Sequence, residues 1–211
     1  MMIYLAGDII IAPRAQEKKE MNGIDNSPEQ RVMVFIDLCN VKIPFDGFRF
    51  RNVRIDYECM VNELLDGRKL VDAYVYDGKY PDGSHSGLKG TLERRGFRIV
   101  EKDFDPKVGV QKEVDVALAT DVISFAYEDR YDVAIIVSGD RDFRPAIQIA
   151  QKLGKRVEVS AFRDSTANAI IEVADLYTEL EKVPMVYFCR FREDIITISN
   201  YFTYCVPQEV Y

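Results

Sequence analysis

Val32-Met33-Val34-Phe35-Ile36-Asp37 sets five apolar residues in a row and ends them on a carboxylate. A run with no polar residue on either face of the pleat is how a strand buried on both sides reads. The pattern returns at Asp132-Val133-Ala134-Ile135-Ile136-Val137, followed by Ser138-Gly139-Asp140-Arg141-Asp142. Working outward, further strands are expected at Val71–Tyr76, which leads into Asp77 and Gly78, at Phe97–Val100 and at Arg156–Phe162. Helices are expected between them: Asp56–Leu65 closed by Gly67, Leu88–Arg95 stopped by Gly96, Glu113–Tyr127, Phe143–Leu153 with Gly154 at its C-cap, and a closing helix Asn168–Glu181. Strict alternation of strand and helix predicts an α/β fold with a mostly parallel central sheet and helices on both faces.

The chain has 211 residues, room for one large domain, and 47% of them are hydrophobic, enough to build a real core. The net charge of −7 excludes a generally basic nucleic-acid binder, so any such contact must come from local basic patches or through bound metal. Cys39, Cys59, Cys189 and Cys205 lack the close spacing of a zinc knuckle or a redox pair, and a single histidine, His85, excludes a His-rich metal site. Unpaired cysteines point to a reducing compartment. Gly7 and Asp8 interrupt the apolar start and no basic segment precedes it, so neither a secretory leader nor a membrane span is expected, and the cytoplasm is the expected location. Residues 1–30 read as a flexible arm, polar from Arg14 to Gln30; residues 31–183 read as the folded domain. Residues 184–211, with Tyr187, Phe188, Phe191, Tyr201, Phe202, Tyr204 and Tyr211, read as an aromatic-rich extension.

Asp37 directly follows one strand, and Asp140 and Asp142 lie just past another. In open parallel sheets the ligand crevice lies at the carboxyl ends of the strands, so two strands bring carboxylates to one rim. Asp115, near the start of the helix Glu113–Tyr127, is placed to join them. Crowded carboxylates repel one another and favour protonation unless a cation neutralises them; hard divalent ions such as Mg²⁺ or Mn²⁺ take oxygen ligands. The alternative is local: an Asp after a strand often caps a turn or helix, and Asp140 or Asp142 has the position to cap the helix near Phe143.

Three blocks carry a family resemblance: Phe35-Ile36-Asp37-Leu38-Cys39-Asn40, then Lys112-Glu113-Val114-Asp115-Val116-Ala117-Leu118-Ala119-Thr120-Asp121, then Val137-Ser138-Gly139-Asp140-Arg141-Asp142-Phe143. In this order they resemble the NYN domain of the PIN-like nuclease superfamily, in its LabA/DUF88-type branch. The likeness runs on through Lys152-Leu153-Gly154, Val157 and Ala174-Asp175 and covers Arg31 to Leu180. It implies a Rossmann-like, PIN-like three-layer sandwich and a Mg²⁺- or Mn²⁺-dependent endoribonuclease. Asp37, Asp115, Asp140 and Asp142 would be its metal and catalytic residues, and Asn40 would orient Asp37 or a water. Ser138 would act at the same strand end. Asp121 matches a family position, but six residues beyond Asp115 it lies well around the helix, and a structural role is as good a reading. The sequence departs from the family at Leu38 and Cys39, where a small acidic residue or glycine is frequent, and at Glu113, where glycine is frequent.

Lys42, Arg49, Arg51 and Arg54, interleaved with Phe45, Phe48 and Phe50, are the RNA-binding candidates. Cations neutralise phosphates and rings stack on unpaired bases, which favours single-stranded RNA; the alternative is a solvated loop anchored by its aromatics. Lys79, Lys89, Arg94 and Arg95 form a second basic group. His85, within Gly83-Ser84-His85-Ser86-Gly87, is read as a mobile surface histidine on a substrate-facing loop rather than a proton shuttle. The rival to the enzyme is a non-catalytic RNA- or protein-binding regulatory module on the same fold. A phosphatase using an aspartate nucleophile is disfavoured because Cys39 stands two residues after Asp37, where a second aspartate would be needed. A homo-oligomer is left open.

Overall fold

The computed structural model describes residues 29–41, 55–83, 85–103 and 110–183. Eleven regular elements follow in order: β1 (Arg31–Asp37), α1 (Tyr57–Leu65), β2 (Lys69–Lys79), α2 (Ser86–Arg94), β3 (Arg98–Asp103), α3 (Val110–Tyr127), β4 (Val133–Val137), α4 (Arg144–Lys152), β5 (Arg156–Ala161), α5 (Asn168–Ile171) and β6 (Leu176–Glu179). The strands form one six-stranded sheet in the order β3-β2-β1-β4-β5-β6. Every pairing is parallel.

The alternation of β1 explains its unbroken apolar run. Val32, Val34 and Ile36 pack with Met60, Val61, Leu64 and Leu65 of α1 and Leu92 of α2. Met33 and Phe35 pack on the opposite face with Val114, Leu118 and Val122 of α3 and Ile147 of α4. Both faces of the central strands are therefore covered, and three layers result. The helices start and stop for local reasons. The Asp56 carboxylate accepts from the backbone N–H of Glu58 and Cys59 to cap α1, and Asp66, in the left-handed region at φ 47°, ends it.

The sheet order reverses between β1 and β4: β2 and β3 extend to one side, β5 and β6 to the other. This switch point opens a crevice at the strands' carboxyl ends. Ile36 lies in register with Val137, so the residues that follow, Asp37 and Ser138, flank the opening.

Four expectations are corrected. β2 does not stop at Tyr76 but runs to Lys79, because β3 pairs with Tyr74 through Lys79. α3 begins at Val110, so Asp115 stands in its second turn instead of opening it. The helix expected over Phe143–Leu153 is present as α4 but starts one residue later, at Arg144, because a 3₁₀ turn, Arg141–Phe143, leads into it. The closing helix is overturned: α5 ends at Ile171, and Leu176–Glu179 is a sixth strand beside β5. A carboxylate decides this, since Asp175 accepts from the Val157 backbone N–H at 2.7 Å and from Gln151 Nε2 at 3.1 Å, drawing the chain onto the sheet edge.

Candidate active site

Asp37 is fully buried at the end of β1. Its Oδ2 accepts from Asn40 Nδ2 at 3.0 Å and from Ser138 Oγ at 3.1 Å, while its Oδ1 is buried without a partner. Asn40 can reach back because the chain turns immediately after the strand, with the Asn40 and Val41 N–H groups donating to the Asp37 carbonyl. Burial pushes the Asp37 carboxyl above the usual carboxylate range, against the hydrogen bonds from Asn40 and Ser138.

On the other side of the switch point, Ser138 Oγ also accepts from the Asp140 N–H at 3.3 Å. The Asp140 carboxylate caps the 3₁₀ turn, its Oδ1 accepting from the Asp142 N–H at 3.0 Å. The capping role weighed for Asp140 is thus real, and it leaves the second oxygen of that carboxylate for other work. Asp142 is exposed on the turn, 3.9 Å from Arg141 Nε. Gly139 makes this turn possible: a Cβ there would lie 2.5 Å from the Ser165 carbonyl oxygen and 2.8 Å from Thr166 Cα. The Gly139 carbonyl in turn accepts from the Ala167 N–H at 3.0 Å.

Asp115 reaches the site from α3. Its Oδ1 is the second buried carboxylate oxygen here without a partner. Its carboxyl is pushed up to about 7, first by burial and then by the negative charges of Asp37, Asp140 and Asp142. The four aspartates therefore share one electrostatic environment. Among the described residues no three His, Cys, Asp or Glu side chains stand together as a group that could hold a metal ion. The donor set nevertheless fits a hard divalent ion of the Mg²⁺ type, which keeps several waters and needs only one or two carboxylates; two orphaned, crowded carboxylate oxygens are what such an ion would satisfy.

The remaining expected residues are scattered. Asp121 Oδ2 accepts from Tyr76 Oη at 2.8 Å and lines a groove with Val100, Lys102, Glu113 and Thr120. Lys42, Arg49, Arg51 and Arg54 lie outside the described residues, as do the arm over residues 1–28 and the extension over 184–211. Arg95 pairs with Asp56 and Glu58, and Lys79 with Asp103.

A second polar cluster was not anticipated. Asp77, fully buried, meets His85 Nδ1 at 2.9 Å, Lys89 Nζ at 3.4 Å and Cys39 Sγ at 3.5 Å. His85 is thus anchored rather than mobile, and its backbone is left-handed at φ 64°. The available signal is Asp77 itself, a carboxylate that follows the run Tyr74-Val75-Tyr76 as Asp37 follows its own apolar run.

Residues 31–181 match the family model of the NYN domain, and the chain belongs to that family. It is 33% identical over 87 residues to the uncharacterized protein y4oD of Sinorhizobium fredii, covering 40% of this chain and 41% of that one. It is 31% identical over 77 residues to the uncharacterized protein MJ0482 of Methanocaldococcus jannaschii, covering 36% and 32%. The chain therefore spans less than half the length of these curated relatives. Its fold resembles that of VPA0982, a protein of unknown function from Vibrio parahaemolyticus, with a TM-score of 0.61 and 21% identity over 75% of this chain and 97% of the other. Family membership gives a nuclease-type fold. Among the described residues no helix is long and apolar enough to cross a membrane.

Proposed function

We propose that this chain is a divalent-metal-dependent ribonuclease that hydrolyses phosphodiester bonds in single-stranded RNA at the crevice between β1 and β4. The observation that carries the reading is the pair of buried, partnerless oxygens, Asp37 Oδ1 and Asp115 Oδ1, in the field of Asp140 and Asp142. Asp37, Asp115, Asp140 and Asp142 would hold Mg²⁺ or Mn²⁺. A bound ion of this kind makes a water more acidic and steadies the charge that builds on a phosphate under attack. The chain's own groups do the positioning. Asn40 and Ser138 fix Asp37 through Oδ2 and leave Oδ1 for the crevice. Asp140 is fixed by its cap bond. Without an ion, burial and the neighbouring carboxylates hold Asp115 partly protonated near neutral pH, and a divalent ion bound beside it would favour its charged form.

A labelled single-stranded RNA incubated with the protein tests this. Cleavage is expected with Mg²⁺ or Mn²⁺ and not in EDTA, and Asp37→Asn is expected to lower the rate about 100-fold or more, the usual cost of losing one group that stabilises transition-state charge. RNA binding without cleavage under both ions would replace the enzyme with a non-catalytic binding module. Cleavage surviving Asp37→Asn together with Asp140→Asn would take the reaction away from this crevice.

A further inference from the structure

The buried charges around Asp77 have no place in the reaction just described. Taking a carboxylate and an ammonium out of water costs several kcal/mol per ion unless each is well paired. Asp77 is fully buried and Lys89 nearly so. Lys89 is saturated: its Nζ donates to the Gly78 carbonyl at 3.0 Å and pairs with Asp77 and with Glu101. Cys39 Sγ lies 3.5 Å from Asp77 Oδ1 and 3.2 Å from Tyr80 Oη. His85 differs from the rest. Nδ1 is spent on Asp77, the ring sits edge-on to Tyr80, and the side chain is 41% exposed. Among the described residues nothing partners Nε2. A carboxylate can only accept here, so Nδ1 carries the hydrogen and Nε2 is the nitrogen that can gain one.

The cluster is attached to the crevice. Asp37 is in register with Tyr76, and Asp77 is the next residue along β2. Cys39, two residues past Asp37, touches Asp77. Strand alternation sends Asp37 toward α3 and Asp77 toward α2, so the sheet edge carries the acidic site on one face and the imidazole on the other. Only a nucleic-acid strand that crosses the strand ends from one face to the other would meet both.

Resting on the ribonuclease reading, we propose that His85 is a substrate-binding residue. Its Nε2, on taking one proton from solvent, donates to a backbone phosphate flanking the scissile one, with Asp77 and Lys89 as positioning residues. Imidazolium–phosphate contacts are charge-assisted hydrogen bonds, and this one places a cation at a rim dominated by carboxylates. The titratable and charged groups around the ring are Asp77 on β2, Tyr80 after it, Lys89 on α2, Glu101 on β3 through Lys89, and Cys39 after β1.

The test is His85→Asn in the full chain. Asparagine tolerates the left-handed backbone and keeps a nitrogen where Nδ1 stood, so it preserves the bond to Asp77 and deletes only Nε2. Binding of a fluorescent single-stranded RNA is measured by anisotropy in Ca²⁺ at pH 6 and pH 8.5. Asp115 also gains a proton toward pH 6, but in both proteins alike, so the difference between them isolates His85. At pH 6 the variant is expected to bind roughly 5-fold more weakly, the scale of one exposed ionic contact. Its log–log salt slope should be shallower by about 0.7. At pH 8.5 the two should converge, with melting temperatures unchanged. An oligodeoxynucleotide of the same sequence should show the same difference, and a difference confined to RNA would overturn the phosphate assignment. Equal affinity at pH 6, or a variant that only melts lower, would make His85 structural and overturn the proposal. Absence of RNA binding by the wild type would overturn this inference and the ribonuclease together. Binding that shows the His85 difference but no cleavage in Mg²⁺ would overturn the ribonuclease alone.

Discussion

Asp115 shows at a single residue what the crevice costs. Its folded-state carboxyl holds a proton up to about pH 7, whereas in an unfolded chain an aspartate releases it near pH 4. Between those values the folded chain binds more protons, so unfolding free energy falls as pH rises through that window. Asp37 is shifted in the same direction by its burial. Asp115→Asn removes one charge from the crowd. In EDTA at pH 8 this variant is expected to be more stable than wild type by about 1 kcal/mol, after discounting for partial solvent screening. That corresponds to a melting temperature higher by about 2–4 °C for a chain of this size. At pH 3, where this carboxyl is protonated in the folded and the unfolded chain alike, the two should melt together. A variant that melts lower at pH 8 would mean that Asp115 is a stabilising hydrogen-bond acceptor and not a strained one. His85 shows the same point from the other side, since its role depends less on its own sequence neighbours than on the buried acid behind it.

Among the elements, β6 is the instructive one. Residues 168–181 contain no glycine or proline and read as a helix in sequence, yet the chain turns after Ile171 and forms a strand. Leu176-Tyr177-Thr178-Glu179 is too short to show a period of two, and Leu176 is exposed. What fixes it is Asp175 accepting from Val157, a contact 18 residues away in sequence. Asp175→Ala should leave that buried N–H unsatisfied at a cost of about 1–3 kcal/mol, seen as a lower urea midpoint with protection from hydrogen exchange lost first in β5 and β6. Unchanged stability would return the strand to ordinary edge pairing. The same reasoning separates what was legible from what was not. β1 and β4 were legible because both their faces are buried, and Asp37, Asp140 and Asp142 followed from standing at their ends. The cluster of Asp77, Lys89 and His85 was not, because β2 continues past Tyr76 only through its pairing with β3. Nor was the close approach at Gly139, whose neighbours Ser165 and Thr166 belong to a distant loop.

For the whole molecule, a net charge of −7 and a crevice of aspartates set the response to ions. A ligand that binds only the folded chain stabilises it by mass action, by about 2.7 kcal/mol at a hundred times Kd. Mg²⁺ or Mn²⁺ at that excess should raise the melting temperature by roughly 5–10 °C. Asp140→Asn should lose most of that rise, and equal shifts in both proteins would move the ion elsewhere. The order of the sheet has a further consequence in time. Of the described strands β1 is made first and lies inside the sheet, and the bond from Ser138 to Asp37 closes over 101 residues. With synthesis at roughly 5–20 residues per second, β1 leaves the ribosome on the order of 5–20 seconds before β4 can shelter its open edge. During that interval a fully apolar strand has β2 on one side and nothing on the other, and the crevice has only one wall. The nascent chain is thus exposed to aggregation while the crevice has one wall, and the late step that adds the second wall also removes that danger.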